Sequence, residues 1–140
     1  SKIIIIGGKN NEGEVLGMVS FLNKDTKIIN TCGLFNIDGL KALISKMNMF
    51  ISVDTGPIYI AEAFNVPTID ITGPIDENEQ PPIGKFHKVV KIKNRAKPEL
   101  YVMNARSYDY NEARRQVDDI TVEMVIGEID NLYISLNKNK

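Results

Sequence analysis

Lys2-Ile3-Ile4-Ile5-Ile6 leads straight into Gly7-Gly8, and an unbroken β-branched run closed by glycines predicts a short strand buried on both faces of a parallel sheet. Parallel neighbours need crossover helices between them, and the chain supplies stretches of helical period between further apolar runs. Val15, Met18, Val19 and Leu22 recur at i, i+3, i+4 and i+7 and predict an amphipathic helix from about Glu12 to Leu22. Lys27 to Asn30 reads as a second strand. Leu40, Leu43, Ile44 and Met47 form the next helical stripe, which Asp38 is placed to cap. Met49 to Val53 is a third strand running into Asp54-Thr55-Gly56-Pro57, where Pro57 suits a first helical turn because its missing N–H is not needed there. Ile60, Ala61 and Phe64 give this helix its inward face. Asn65 suits a left-handed C-terminal position, and Pro67 stops the helix before a fourth strand, Thr68 to Ile71, which Thr72-Gly73-Pro74 ends. Lys88 to Ile92 is a fifth strand.

From Asn94 to Asp118 the period is lost. This reads as a long excursion with a short helix at Asn111 to Gln116. Its Tyr101, Tyr108, Tyr110, Arg106, Arg114 and Arg115 suit either a solvated loop, the preferred reading, or a contact with an acceptor or another domain. Val122, Val125, Ile126, Ile129, Tyr133 and Leu136 then mark a final helix, and Asn137 to Lys140 a polar tail. The whole pattern predicts an α/β fold, a three-layer Rossmann-like open parallel sheet with right-handed crossovers, spanning residues 1–140 as a single domain. A start directly on an apolar strand suggests a piece of a longer, two-domain protein.

Seventeen basic against 18 acidic residues give no long-range field for nucleic acid or an anionic membrane, so any anion must be held locally. The single cysteine, Cys32, cannot form an internal disulfide, lacks the neighbours of a metal site, and reads as a partly buried structural thiol. Ile3 to Ile6 is too short to span a bilayer and has no signal-peptide flanks. The expectation is a soluble, cytoplasmic chain without a transmembrane segment, metal or cofactor. His87, the only histidine, reads as a surface residue beside a strand, and the methionines as core filler.

In an open α/β sheet, ligands sit beyond the carboxyl ends of the strands. Three loops reach that edge here: Gly7-Gly8-Lys9, Asp54-Thr55-Gly56-Pro57 and Thr72-Gly73-Pro74. The second has the parts of an anion cradle, with an unobstructed glycine, a threonine hydroxyl and a helix presenting free N–H groups. Its other reading is a plain N-terminal cap in which Asp54 or Thr55 bonds those amides. Lys9 could reach a phosphate, though a solvent-facing lysine is its ordinary role.

From Leu43 the order of pieces is an apolar strand, Asp54-Thr55-Gly56, Tyr59, Ala61-Glu62-Ala63, Val66-Pro67, a strand, and Gly73-Pro74-Ile75-Asp76. That order resembles the signature of glycosyltransferase family 9, the ADP-heptose:lipopolysaccharide heptosyltransferases. Gly7-Gly8 with Glu12, and the helix after Asp119-Ile120-Thr121, are similar to the family's opening and closing elements. The resemblance implies the C-terminal, donor-binding half of a GT-B fold. It implies an inverting enzyme that passes heptose or another sugar from a nucleotide diphosphate sugar, ADP-linked, to a lipopolysaccharide-type glycan or lipid-linked acceptor. The acceptor site and the general base would lie in an N-terminal domain outside this chain, leaving the chain inactive alone. The full-length enzyme would work at the inner face of a bacterial membrane. The resemblance assigns the donor to Glu12, Phe35, Asp54, Thr55, Gly56 and Tyr59, with Gly8, Lys9, Gly73 and Asp76 as further candidates. Three positions depart from the family pattern: Tyr59 stands where the family has histidine, and Ile75 and Glu77 replace a threonine and a second proline. Two other readings are a non-catalytic domain that kept the fold, and half of a UDP-sugar 2-epimerase-like protein.

Overall fold

The computed structural model describes residues 2–21, 27–79, 82–101 and 108–138. They form two compact units, Ser1–Ala42 and Leu43–Lys140, and every strand pairing is parallel.

The first unit holds β1 (Lys2–Ile5), a short 3-10 turn (Lys9–Asn11), α1 (Glu12–Ser20) and β2 (Lys27–Asn30). β1 pairs with β2, placing Ile3 opposite Ile28 and Ile5 opposite Asn30. α1 packs against β2 and buries Val15, whereas Met18, expected on the inward stripe, is 58% exposed; Leu22 lies outside the described residues. β1 is also less enclosed than its run of isoleucines predicts, since Ile3 is 48% exposed. Within this unit a two-stranded sheet with α1 against it leaves part of its faces to solvent. Beyond the strands, Thr31 donates from N and Oγ1 to the Ile5 carbonyl at 2.9 and 2.8 Å, and Gly33 N–H donates to the Gly7 carbonyl at 2.9 Å. Gly33 has φ +70°, and a Cβ there would come within 2.9 Å of Lys9 Cα, so both conformation and space demand glycine.

α2 (Ile37–Ile44) starts on Asn36, whose Oδ1 accepts the Gly39 N–H at 2.9 Å. Asp38, the expected cap, instead sits inside the helix and pairs with Lys41 at the surface. The apolar stripe marks which face of a helix is buried, and here the helix begins before the stripe does.

The second unit holds β3 (Phe50–Val53), α3 (Gly56–Ala63), β4 (Thr68–Ile71), β5 (His87–Val90), α4 (Tyr110–Asp118) and α5 (Val122–Asn137). Its sheet has the order β3-β4-β5. Phe50, Thr68 and His87 lie in one cross-strand row and Ser52, Asp70 and Val89 in another. α5 covers the opposite face, where Ile69, Val90 and Leu132 form a buried cluster joined by Ile71, Met124, Val125, Ile129 and Leu136. The inward stripe of α5 is therefore Val125, Ile129, Leu132 and Leu136. Val122, Ile126 and Tyr133, which the sequence pattern also points inward, are 68%, 50% and 53% exposed. A helix apolar on more than one side reveals its period more readily than its phase. α3 likewise buries Ile58 and Ala61 and leaves Phe64 half exposed, because the helix ends at Ala63 and Asn65 (φ +56°) turns the chain away.

In the stretch after Asn94, expected as a solvated loop, Tyr108 and Tyr110 are 49% and 62% exposed, as a solvated segment requires, but residues 95–101 are fastened to α4. Asp109 Oδ1 accepts the N–H groups of Asn111 and Glu112 at 2.9 and 3.1 Å, while its own N–H donates to the buried Glu99 carboxylate at 2.9 Å. The fully buried Gln116 donates to the Lys97 carbonyl at 3.0 Å. Arg114 pairs with Asp118 and Arg115 with Glu112 and Asp119 along the helix; Arg106 lies outside the described residues. Asp109→Ala is expected to lower stability by about 1 kcal/mol, as for loss of other N-terminal caps, measured by urea denaturation. No change would mean that water replaces the cap at no loss.

Candidate functional site

The Asp54-Thr55-Gly56-Pro57 turn follows β3 and the Thr72-Gly73-Pro74 turn follows β4. Because these strands are adjacent and parallel, both turns fall at one carboxyl edge, where open α/β sheets bind ligands. In the first unit, Gly7-Gly8-Lys9 occupies the corresponding end of β1.

At the first turn the plain capping reading fails. Thr55 is the extended residue before α3, with φ −147° and ψ 162°, and makes no side-chain bond to the helix amides. Its Oγ1 lies 3.1 Å from Ser52 Oγ, which itself donates to the Val53 carbonyl at 2.7 Å; the proton between the two hydroxyls is therefore Thr55's. Asp54 does not cap either, since its Oδ1 accepts from Tyr59 Oη at 3.3 Å. A Cβ at Gly56 would meet nothing within 4 Å. The turn thus presents an open approach, an exposed threonine hydroxyl that an anion could reclaim, and the positive end of α3.

Behind the turn lies a polar layer that sequence reasoning missed. Asp70, in the middle of β4, is 2% exposed, and its Oδ1 is buried with no hydrogen-bond partner among the described residues. Burial, reinforced by the negative charge of Asp54, pushes its carboxyl up to about 7. His87 is not the surface residue expected from sequence: it opens β5, its Nδ1 lies 2.6 Å from Thr68 Oγ1, and its buried Nε2 has no partner among the described residues. Burial lowers its pKa, partly offset by the charges of Glu62 and Asp54. Tyr59 is pushed up by burial and then by Asp54, so it remains a phenol donating to Asp54. The one legible signal was the acid between Ile69 and Ile71 in an otherwise apolar strand.

The second turn is a fixed wall. Gly73 (φ +55°) is buried with Val117 against it. Arg95 Nη1 donates to the carbonyls of Gly73 and Ile75 at 2.9 and 3.1 Å, and the Pro74 carbonyl accepts from Glu99 and Leu100, each at 3.0 Å. Glu77 receives both Arg95 and Lys91; burial acts to raise its carboxyl, but these two cations hold it below its ordinary value. Asp76 Oδ1 accepts both nitrogens of Asn78 at 3.0 Å. In the first unit, Glu12 opens α1 and is exposed, Gly8 N–H donates to Asn11 Oδ1 at 3.1 Å, and half-exposed Phe35 packs beside Gly39. Lys9 is exposed beside Gly33. No helix among the described residues is long and apolar enough to cross a membrane.

A family model described as glycosyltransferase family 9 (heptosyltransferase) matches residues 1–107. The chain belongs to glycosyltransferase family 9. Among solved structures, Escherichia coli ADP-heptose lps heptosyltransferase II superposes with a TM-score of 0.74 at 19% identity, over 97% of this chain and 37% of that one. A family 9 glycosyl transferase from Veillonella parvula DSM 2008 gives 0.71 at 23% identity, over 96% of this chain and 37% of that one. These likenesses establish the fold, α/β with parallel sheets as in GT-B enzymes, and the family 9 chain spans little more than a third of either protein. No curated protein matches it significantly.

Proposed function

We propose that this chain is the nucleotide-sugar-binding half of an inverting glycosyltransferase that passes a heptose or other sugar from an ADP-linked donor to a lipopolysaccharide-type acceptor. The observation that supports it most is the turn before α3, whose threonine and aspartate leave the helix amides uncapped. A diphosphate leaving group there would gain the N–H groups and dipole of α3 and the Thr55 hydroxyl as negative charge develops on it. Asp54, already oriented by Tyr59, would accept from sugar hydroxyls, and Glu12 from the ribose. The tyrosine in place of the family histidine keeps a donor at this position but directs it to Asp54, which favours a donor sugar other than the family's usual one. The general base, the acceptor site and any membrane association would belong to a second domain, so the isolated chain would bind donor without turnover.

Calorimetric titration with ADP and ADP-sugars tests this. Saturable binding is expected, weakened about tenfold by Thr55→Val, in line with loss of one hydrogen bond to a charged partner, and weakened also by Glu12→Ala. Absence of saturable binding, or indifference to both changes, would favour the non-catalytic domain instead.

A further inference from the structure

A cavity of about 470 Å³ opens beside the second turn of the Leu43–Lys140 unit, lined by Asp76, Asn78, Lys91, Lys93, Arg95 and Lys97 among others. Its volume is in the range of small-molecule sites. The four cations come from the irregular segment that follows β5, whose turn at 93–94 and bend at 96–97 leave all four lining the cavity.

Their present commitments differ. Arg95 is 6% exposed and spent on the loop carbonyls and Glu77, and Lys91 shares Glu77 with it. Two cations on one carboxylate leave a net positive charge at the buried end. Lys97 is 68% exposed and lies 3.5 Å from the buried carboxylate of Glu99, which also accepts the Asp109 N–H, so the ammonium keeps an open side toward solvent with which to meet an anion. Lys93 has no carboxylate partner among the described residues. The opposite wall is of another character. Asp76 Oδ1 holds both nitrogens of Asn78, which leaves Asp76 Oδ2 and the Asn78 carbonyl to accept from hydroxyl groups and the second amide hydrogen of Asn78 to donate to them. A bare metal cation is disfavoured by the ammonium groups, and a purely anionic ligand by Asp76. A ligand with a phosphate at one end and hydroxyls at the other satisfies both walls.

We infer that this cavity is a binding site for a phosphorylated monosaccharide, with Lys93, Lys97 and Lys91 facing the phosphate and Asp76 and Asn78 facing the sugar hydroxyls. It is built from side chains other than those proposed to hold the nucleotide diphosphate, Asp76 alone being shared with the wider candidate set, and does not depend on that reading.

The test is a two-dimensional amide NMR titration of the whole chain with glucose 6-phosphate, inorganic phosphate and glucose. Glucose 6-phosphate is expected to give saturable shifts at residues 76–78 and 91–97, inorganic phosphate weaker binding at the same amides, and glucose none. The double variant Lys93→Gln, Lys97→Gln leaves the buried Arg95–Glu77 contact untouched and the Asp109 N–H on Glu99 in place, with the glutamine amide at 97 able to donate to that carboxylate, and should weaken glucose 6-phosphate binding about tenfold or more. An unchanged spectrum of well-dispersed resonances away from the cavity shows that it remains folded. No saturation, shifts confined to Thr55 and Gly56, or equal binding by the double variant would overturn the proposal, and equal affinity for inorganic phosphate would overturn its sugar component. Thr55→Val is expected to leave these shifts intact, so failure of the diphosphate turn and failure of this cavity are separately visible.

Discussion

Asp70→Asn is expected to abolish a fall in stability that the unaltered chain shows as pH rises from about 4 to about 7. The folded protein holds the Asp70 proton up to about 7, whereas the unfolded chain releases it near 3.8. Between those values the folded state binds more protons, so raising the pH favours unfolding, and the loss is complete above the folded value. Three pH units at about 1.4 kcal/mol each set the full effect at no more than about 4 kcal/mol. Asparagine has the same shape without the charge, so the variant should be the more stable protein at pH 8 and nearly equal to the parent at acid pH. His87 contributes with opposite sign, because its lowered pKa makes the unfolded chain the better proton acceptor near neutrality; subtracting one protein's profile from the other's removes it. Urea denaturation across this range provides the measurement, and parallel profiles for the two proteins would show that the Asp70 carboxyl titrates normally.

Arg95→Met is expected to destabilise the second unit by about 3 kcal/mol, the lower end for breaking a buried ion pair. The Glu77 side chain is 12% exposed and would retain Lys91 as its sole cation, while the carbonyls of Gly73 and Ile75 would lose their guanidinium donor. The informative comparison is with the double variant Arg95→Met, Glu77→Leu, which leaves no buried charge behind and should recover a large part of the loss. Denaturation of both single variants and the double closes the cycle. Strict additivity would mean that Arg95 acts through the carbonyls alone and that its contact with Glu77 contributes nothing.

The parts of this protein that could be read from sequence are those governed by local chemistry. Pro57 at the start of α3, the left-handed Asn65 after it and the strands on either side follow from backbone preferences and apolar runs, and they sufficed to place the Asp54–Pro57 turn at a sheet edge. Burial was harder. The isoleucines of β1 imply enclosure that one neighbouring strand and helix do not provide, and α5 carries apolar residues around so much of its circumference that Val122 and Tyr133 could not be told from Leu132. Asp70 announces itself only as an acid between two isoleucines and His87 not at all, because their perturbation comes from their burial and from the charges of Asp54 and Glu62, which lie far from them in sequence. Arg95 is a further case: its partners Gly73, Ile75 and Glu77 lie about twenty residues upstream, so a segment that looks patternless in sequence holds the most firmly tied loop of the site.

The place of Asp70 on the middle strand, hydrogen-bonded ladders on both sides, also bears on rates. An edge carboxylate exchanges its proton with water at every fluctuation, but this one meets solvent only when neighbouring elements part, an event belonging to the slow, high-energy end of local opening. After a pH jump this carboxyl would re-equilibrate only as fast as such openings expose it, so its titration is gated by the motion of its neighbours as well as by the proton concentration.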